Sequence, residues 1–274
     1  MKYSVLIPVY NMPESLLRLL QSLLANRSEI IGEIHVYFDG SPVPDSTPKH
    51  QILHIHKGDI NMGLVYARSF LIQQARFQRV LFLDADSLPE PGFFDVLKSL
   101  GEKQLFAGQE SRGHEKNLWQ QWRLRFFRQT LGTKRLENAP TLCGLCFGGD
   151  RTLIKDIGFS PRFRNHGEDV DFAFRAISTN VEICYEPALC VFHDREDDHQ
   201  SLIGMIKNHI RYQSLAYRIH GANTWVLVKN QIKLIPVSVY SSIRRAKSLP
   251  LAIISLYLGI LALFYRFCYL ICRI

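Results

Sequence analysis

Two aspartates, Asp84 and Asp86, close the run V-L-F-L-D-A-D-S at positions 80–87. Apolar residues stopped abruptly by charge read as a strand buried on both faces, and the exit of such a strand is where α/β sheets place ligands. Carboxylates two apart on a fraying strand end can aim oxygens at one divalent cation, or at a cation and a sugar hydroxyl; Mg2+ and Mn2+ favour such ligands. Aspartate is also a common turn residue, so a solvated strand exit fits the same letters. A second acidic group stands at His166-Gly167-Glu168-Asp169-Val170-Asp171, with Arg175 after it. Gly167 supplies a turn, the acids sit where a helix dipole favours them, and Asp171 with Arg175 is an i,i+4 pair. That stretch is either an acid-capped helix or the seat of a general base accepting a hydroxyl proton. His193, directly after the apolar run 188–192, is a candidate metal ligand at a strand exit. Asn61-Met62-Gly63 tolerates positive φ and leads into a helical pattern carrying Arg68. Such a loop offers backbone N–H groups to an anion, and Arg68 is placed to reach a diphosphate bidentately or to lie solvated on its helix.

These residues need a sheet to hold them. Tyr3 to Val9 is apolar and β-rich, and Pro8-Val9-Tyr10-Asn11 ends it in turn chemistry. From Pro13, leucines at 16, 17, 19, 20, 23 and 24 recur at helical spacing. Ile34 to Phe38 is a second strand, stopped by Asp39 and Gly40-Ser41-Pro42. Strand, helix and strand with an acid at the exit is the opening of an α/β nucleotide-binding unit. Further strands are expected at 52–56, 104–108, 143–149, 181–185 and 188–192. Helices are expected after Pro89 and Pro91 and over 201–219. Residues 115–135 interleave Trp119, Trp122, Phe126 and Phe127 with Arg123, Arg125 and Arg128. That segment could stack on a sugar, lie against membrane phosphates, or pack as an amphipathic helix.

The chain has 274 residues and a formal net charge of +8, which suits an anionic partner without choosing among them. Its six cysteines lie scattered in apolar surroundings and no secretory signal opens the chain, so they read as buried thiols on a reducing, cytosolic side. Cys143-Gly-Leu-Cys146 has no second such pair to complete a zinc site. After Gly221 the composition turns apolar, and residues 248–265 carry no charge. That length is at the lower limit for a hydrocarbon core of about 30 Å. Arg244, Arg245 and Lys247 before it place its N-terminal end on the cytoplasmic side if it spans. Arg266 and Arg273, with Cys268 and Cys272, leave an interfacial, non-spanning hairpin or helix open. A nucleic-acid partner is not expected, because the basic residues concentrate near the aromatic segment and the C-terminus, where a membrane surface suits them better.

No Gly-rich dinucleotide fingerprint or P-loop is present, which removes the phosphate cradle of dehydrogenases and NTPases. The constellation resembles a family 2 glycosyltransferase from Tyr3 to about His193. S-V-L-I-P-V-Y-N is similar to the family's opening strand, and Y-F-D-G-S to its base-binding strand exit. N-M-G-L-V-Y-A-R-S resembles the Asn-x-Gly-x-x-x-Ala-Arg segment, L-D-A-D-S the DXD motif, and G-E-D-V-D-F with Arg175 the ED motif. One position departs: Phe38 stands where the family has the first of two acids before Gly-Ser.

The resemblance implies a GT-A-like α/β fold with a mixed, mainly parallel sheet flanked by helices. It implies donor binding by Pro8, Asp39, Asn61, Gly63, Arg68 and Asp84, a Mn2+ or Mg2+ ion on Asp86 and His193, and Asp169 as catalytic base with Glu168 beside it. The expected activity is inverting transfer from a nucleotide sugar, a UDP-sugar first among them, to an acceptor hydroxyl. Residues 1–220 would form the catalytic domain and 221–274 a membrane-associated helical region at the cytoplasmic face. Membrane proximity favours a lipid-linked or envelope glycan as acceptor. Two other classes remain: a membrane-tethered, non-catalytic nucleotide-sugar binder, and a sugar nucleotidyltransferase. The latter is expected to open on a Gly-rich loop, which P-V-Y-N-M-P is not.

Overall fold

The computed structural model describes residues 1–25, 29–113 and 115–271. Cys272 and Arg273 lie outside the described residues. Strand β1, Tyr3–Val9, is buried at every position, as its mainly apolar sequence suits in a strand covered on both faces, and its one hydroxyl apart from Tyr3, on Ser4, donates to Glu33. Helix α1, Pro13–Ala25, covers one face with Leu16, Leu19, Leu20 and Leu23, the stripe its leucine spacing predicts. β2, Ile31–Asp39, and β4, Arg79–Leu83, flank β1 in parallel, and β3, Leu53–Gly58, adds to β2, also in parallel. Pro8, Asp39 and Asp84 therefore leave the sheet along one edge, the carboxyl ends of parallel strands. Helix α2, Leu64–Gln74, packs against β1 and β2, with Phe70 against Tyr37.

Past β4 the sheet becomes mixed. β5, Ser87–Pro89, α3, Phe93–Ser99, β6, Leu105–Glu110, and β7, Cys146–Asp150, come next in the fold, the segment 112–128 apart. α5, Arg151–Ile157, α6, Glu168–Ser178, and β8, Ile183–His193, complete it. The eight strands run in the order β3-β2-β1-β4-β7-β6-β8-β5, with β7 antiparallel to β4 and β6, and β5 antiparallel to β8. Two expectations shift. Pro89 belongs to β5 rather than to a helix start, because β5 pairs with β8, and α3 begins only after Gly92 turns the chain at φ 82°. The two runs at 181–185 and 188–192 join in one strand whose register against β6 shifts between Ala107 and Gln109. Cys143, Cys146 and Cys184 are buried free thiols.

Residues Met1–Ser111 and Gln129–Arg195 form one compact unit; Arg112–Arg128 and Glu196–Ile274 form another. The packing division thus falls at 195/196 rather than 220/221. The reason is that α7, His199–Ile219, shares a core with later sequence: Leu202, Ile206 and Ile210 pack with Leu251 and Leu258. In the same unit α4, Leu118–Phe126, contributes Trp122 to that core and Arg123 to a buried ion pair with Asp197 at 2.5 Å. The basic aromatic segment therefore packs. Helices α8, Trp225–Arg244, and α9, Leu249–Ile271, lie side by side. Ser242 and Ser255 hydroxyls meet at 3.0 Å between them, and a Cβ on Gly259 would stand 2.8 Å from Ile235.

Gly148 shows how tightly β7 is seated. A Cβ there would lie 2.2 Å from the Val80 carbonyl oxygen and 2.6 Å from the Phe106 ring, whereas one on Gly204 in α7 would meet nothing within 4 Å. Gly148→Ala is expected to destabilise by about 1–3 kcal/mol through overpacking, and Gly204→Ala to stabilise by up to about 1 kcal/mol through helix propensity. Melting followed by circular dichroism checks this; shifts of the same sign would refute the packing account.

Candidate active site

Arg68 sits in α2 and is 1% exposed. Its Nη1 donates to Glu168 Oε1 at 2.7 Å, and its Nη2 to Asp84 Oδ1 at 2.9 Å and to the Gly144 carbonyl at 2.8 Å. The Phe147 ring closes over the guanidinium, its centroid 5.1 Å from Cζ. A buried cation needs such anionic partners to offset lost hydration. Sequence reasoning expected this side chain to reach a diphosphate. In the structure its Nη1 and Nη2 brace Asp84, Glu168 and Gly144 inside the protein, while the buried Nε has no hydrogen-bond partner among the described residues. Burial pushes Asp84 up to about 6 against the pull of Arg68.

Asp86 is 5% exposed, and its Oδ2 lies 3.1 Å from His193 Nε2. The β5–β8 pairing sets this contact: Ser87 is registered opposite His193, and Asp194 N donates to the Asp86 carbonyl at 2.7 Å. The other imidazole nitrogen, Nδ1, lies 3.2 Å from Oε1 of Glu110, a fully buried residue at the end of β6. Burial pushes His193 down, but Asp86 and Glu110 more than offset it and raise it to about 10. Burial likewise pushes Asp86 up, and the His193 charge leaves it net lowered. A carboxylate and an imidazole 3.1 Å apart, with the imidazole's other nitrogen held by the buried Glu110, are a donor pair that could ligate one divalent cation. The donor set fits a hard divalent cation, whose binding would compete with protonation of His193.

Glu168 and Asp169 open α6 after Gly167, which takes φ 78° as the turn reading expects. Asp169 Oδ1 accepts from Val170 N at 2.8 Å, and a Cβ on Gly144 would lie 2.9 Å from Asp169 Oδ2. Burial raises both carboxyls, with the Arg68 charge acting the other way. Asp171 pairs with Arg175 at 2.9 Å as the spacing predicts, and Arg175 also donates to the carbonyls of Ile157 and Gly158, tying α6 to the end of α5.

Pro8, Val9, Tyr10, Asp39, Asn61, Leu64, Ala67, Arg164 and Asn165 line a cleft of about 480 Å³, within the size range of small-ligand sites. Gly63 turns at φ 97° as expected. The anion cradle expected at the start of α2 is otherwise filled, however. Asp39 Oδ1 accepts from Met62 N and Oδ2 from Gly63 N, while Asn165 Oδ1 accepts from Leu64 N and the Arg164 carbonyl from Val65 N. Those N–H groups hold the 61–63 loop in place. Phe38, at the family's missing acid, is 1% exposed in the core shared with α1. Glu110, Gly144, Arg164 and Asn165 escaped the sequence reading, since these contacts join each to a residue at least 76 positions away. The acid at 110 closing an apolar strand was the available signal for the first of them.

Residues 4–158 match Glycosyl transferase family 2. The chain belongs to that family. No curated protein matches it in sequence. Among solved structures it is similar to residues 1–349 of TarS from S. aureus, at 19% identity and TM-score 0.55, over 96% of this chain and 81% of that one. The same TarS fragment in complex with UDP-GlcNAc aligns at 20% identity and TM-score 0.57, over 96% and 82%. The mannosyltransferase PcManGT from Pyrobaculum calidifontis, in complex with GDP-Man and Mn2+, aligns at 14% identity and TM-score 0.64, over 100% and 88%. At these identities the likeness establishes the fold, which is GT-A-like, as the resemblance implied.

Arg68→Met is expected to lower unfolding free energy by about 3–5 kcal/mol, because it strands buried carboxylates, and Glu168→Gln in that background to recover part of the loss. Urea denaturation of the single and double variants reads this out. Equal losses in both would remove Glu168 from the account.

Proposed function

We propose that this protein transfers a sugar from a nucleotide-sugar donor to an acceptor hydroxyl, with inversion at the anomeric carbon. The observation that carries the reading is Arg68, which hydrogen-bonds Asp84 on one side and Glu168, the neighbour of Asp169, on the other. One guanidinium thereby fixes the acid proposed for the donor beside those proposed for the acceptor. The nucleotide takes the cleft of Pro8, Asp39 and Asn61, with Gly63 shaping its loop. Asp39 keeps lone pairs for the base beyond those that hold Met62 and Gly63. Asp84 faces the ribose or the metal. Asp86 and His193 would hold Mn2+ or Mg2+, which when bound neutralises the diphosphate leaving group as a Lewis acid. Asp169 takes the acceptor proton as the hydroxyl attacks, and its raised affinity for a proton suits a base. A single in-line displacement inverts the configuration. Family membership, and relatives in fold bound to UDP-GlcNAc or to GDP-Man and Mn2+, support the class; a UDP-sugar is the first donor to test.

We place the enzyme at the cytoplasmic face of a membrane, acting on a lipid-linked or envelope glycan. Among the described residues one helix, Leu249–Leu270, is long and apolar enough to cross a bilayer, with mean hydropathy 2.0. Its exposed side chains include Leu249, Ile253, Leu256, Ile260 and Phe264, and those of α8 include Trp225, Ile232, Val237 and Ile243. Polar Ser242 and Ser255 face inward between the helices. Apolar outside and small or polar inside is the arrangement of helices packed in lipid.

A thermal-shift screen of UDP- and GDP-sugars with and without Mn2+ tests donor and metal together. A cation-dependent rise in melting temperature with one nucleotide sugar is expected; no shift with any of them would sink the donor reading. Asp169→Asn is expected to keep that shift and lose turnover by orders of magnitude. Because Asp169 must be ionised to act and burial raises it, turnover should fall on acidification already above the usual carboxylate value of about 3.9. A rate flat in pH down to that value would reject Asp169 as base. Ile253→Glu with Ile260→Glu is expected to cut co-flotation with anionic vesicles several-fold, and unchanged flotation would overturn the membrane placement.

A further inference from the structure

β3 is the edge strand of the sheet, and its pairing with β2 registers His54 opposite His35 and His56 opposite Tyr37. His54 and His56 both lie beside His35, their rings stacked on its ring at centroid distances of 4.7 and 5.3 Å. Glu33, two residues before His35, shares that face. Glu33 and His35 are each 3% exposed, and His54 is half-buried at the edge. One nitrogen or oxygen from each of Glu33, His35 and His54 lies within 4.8 Å of the others. None of these residues belongs to the active site described above.

The decisive contact is His35 Nε2. It is buried and lies 3.2 Å from Glu33 Oε1, an ion-pair distance at which the geometry of a hydrogen bond is not met. A buried imidazole nitrogen and a carboxylate oxygen at that spacing form an ion pair when the ring carries a proton there, and a pair of ligands for one metal ion when it does not. Their separation is also about the 3.3 Å edge of a tetrahedron around zinc with bonds of about 2.0–2.1 Å. His35 Nδ1 is 3.0 Å from His56 Nε2. If His56 accepts that hydrogen bond, the His35 proton is fixed on Nδ1 and the Nε2 lone pair is left for a metal, as outer partners do for ligating imidazoles. Ser4 Oγ and Arg76 N donate to Glu33 Oε1 at 2.6 and 2.7 Å, which orients the carboxylate.

We propose that Glu33, His35 and His54 bind one Zn2+ ion, positioned by His56, that staples edge strand β3 to β2. Two imidazoles and a carboxylate form a borderline donor set suited to zinc rather than to Mg2+. Three protein ligands leave a fourth position for water on the half-buried His54 side, which is also the entry route. The edge strand gains a link besides its ladder, next to the strand whose end carries Asp39.

The test is calorimetric titration with Zn2+ of full-length protein stripped by chelator, using wild type, His54→Gln, His56→Phe and Asp86→Asn. His54→Gln is expected to lose one class of Zn2+ sites that Asp86→Asn keeps, which separates this ion from any taken by Asp86 and His193. His56→Phe is expected to weaken the same class by about 10–100-fold, as loss of an outer partner does. Zn2+ should raise the melting temperature of wild type by more than that of His54→Gln, and that of Asp86→Asn by more than that of the double variant His54→Gln/Asp86→Asn. If His54→Gln binds Zn2+ with wild-type stoichiometry and affinity, the proposal is overturned. His54 lies on an edge and is half-buried, so circular dichroism confirms that its variant folds; His35→Gln with unchanged binding would overturn the proposal equally.

Discussion

A buried guanidinium cannot stand alone, and that constraint organises the catalytic unit. Arg68 must be met by carboxylates, so α2, the end of β4 and the start of α6 are drawn to one point. The Gly144 carbonyl completes the ring of acceptors, and Gly144 has no side chain because Asp169 occupies the space one would take. The acids repel one another and the cation holds them together. The proposed chemistry depends on that balance, since donor-side and acceptor-side groups then move as one body.

Much of this was readable in the letters because the signals were local. The leucines of α1, the mostly apolar runs of β1 and β4, the turn at Gly63 and the acids after Gly167 each declare themselves within a few residues. What could not be read depends on long-range pairing. Arg68 looks like a helix residue free to meet a phosphate until the fold sets Glu168 against it from 100 positions away. The N–H groups of the 61–63 loop look available until Asp39 and Asn165 fill them. Glu110 carries no motif; only the β6–β8 pairing brings it to His193. The 220/221 boundary followed a change in composition, whereas packing follows α7, whose stripe matches α9.

The second unit leaves large apolar side chains exposed on its last two helices. Its paired helices place hydroxyls between them and large apolar side chains outside, while the α4–α7 side buries the Arg123–Asp197 pair and packs tryptophan in the ordinary way. One unit thus combines a conventionally packed α4–α7 core with exposed apolar side chains on its last two helices, and the proposed place at a membrane surface rests on the latter.

The β5–β8 pairing has a consequence for how this chain can vary. Asp86 and His193 approach because Ser87 lies opposite His193 in an antiparallel ladder, and Glu110 joins them through the parallel ladder on the other side of β8. Side chains alternate along a strand, so one residue added or lost between Cys190 and His193 would turn the imidazole to the opposite face. Substitution in β8 is a matter of degree, while insertion is all or nothing. Length, more than composition, is the inherited quantity in this strand.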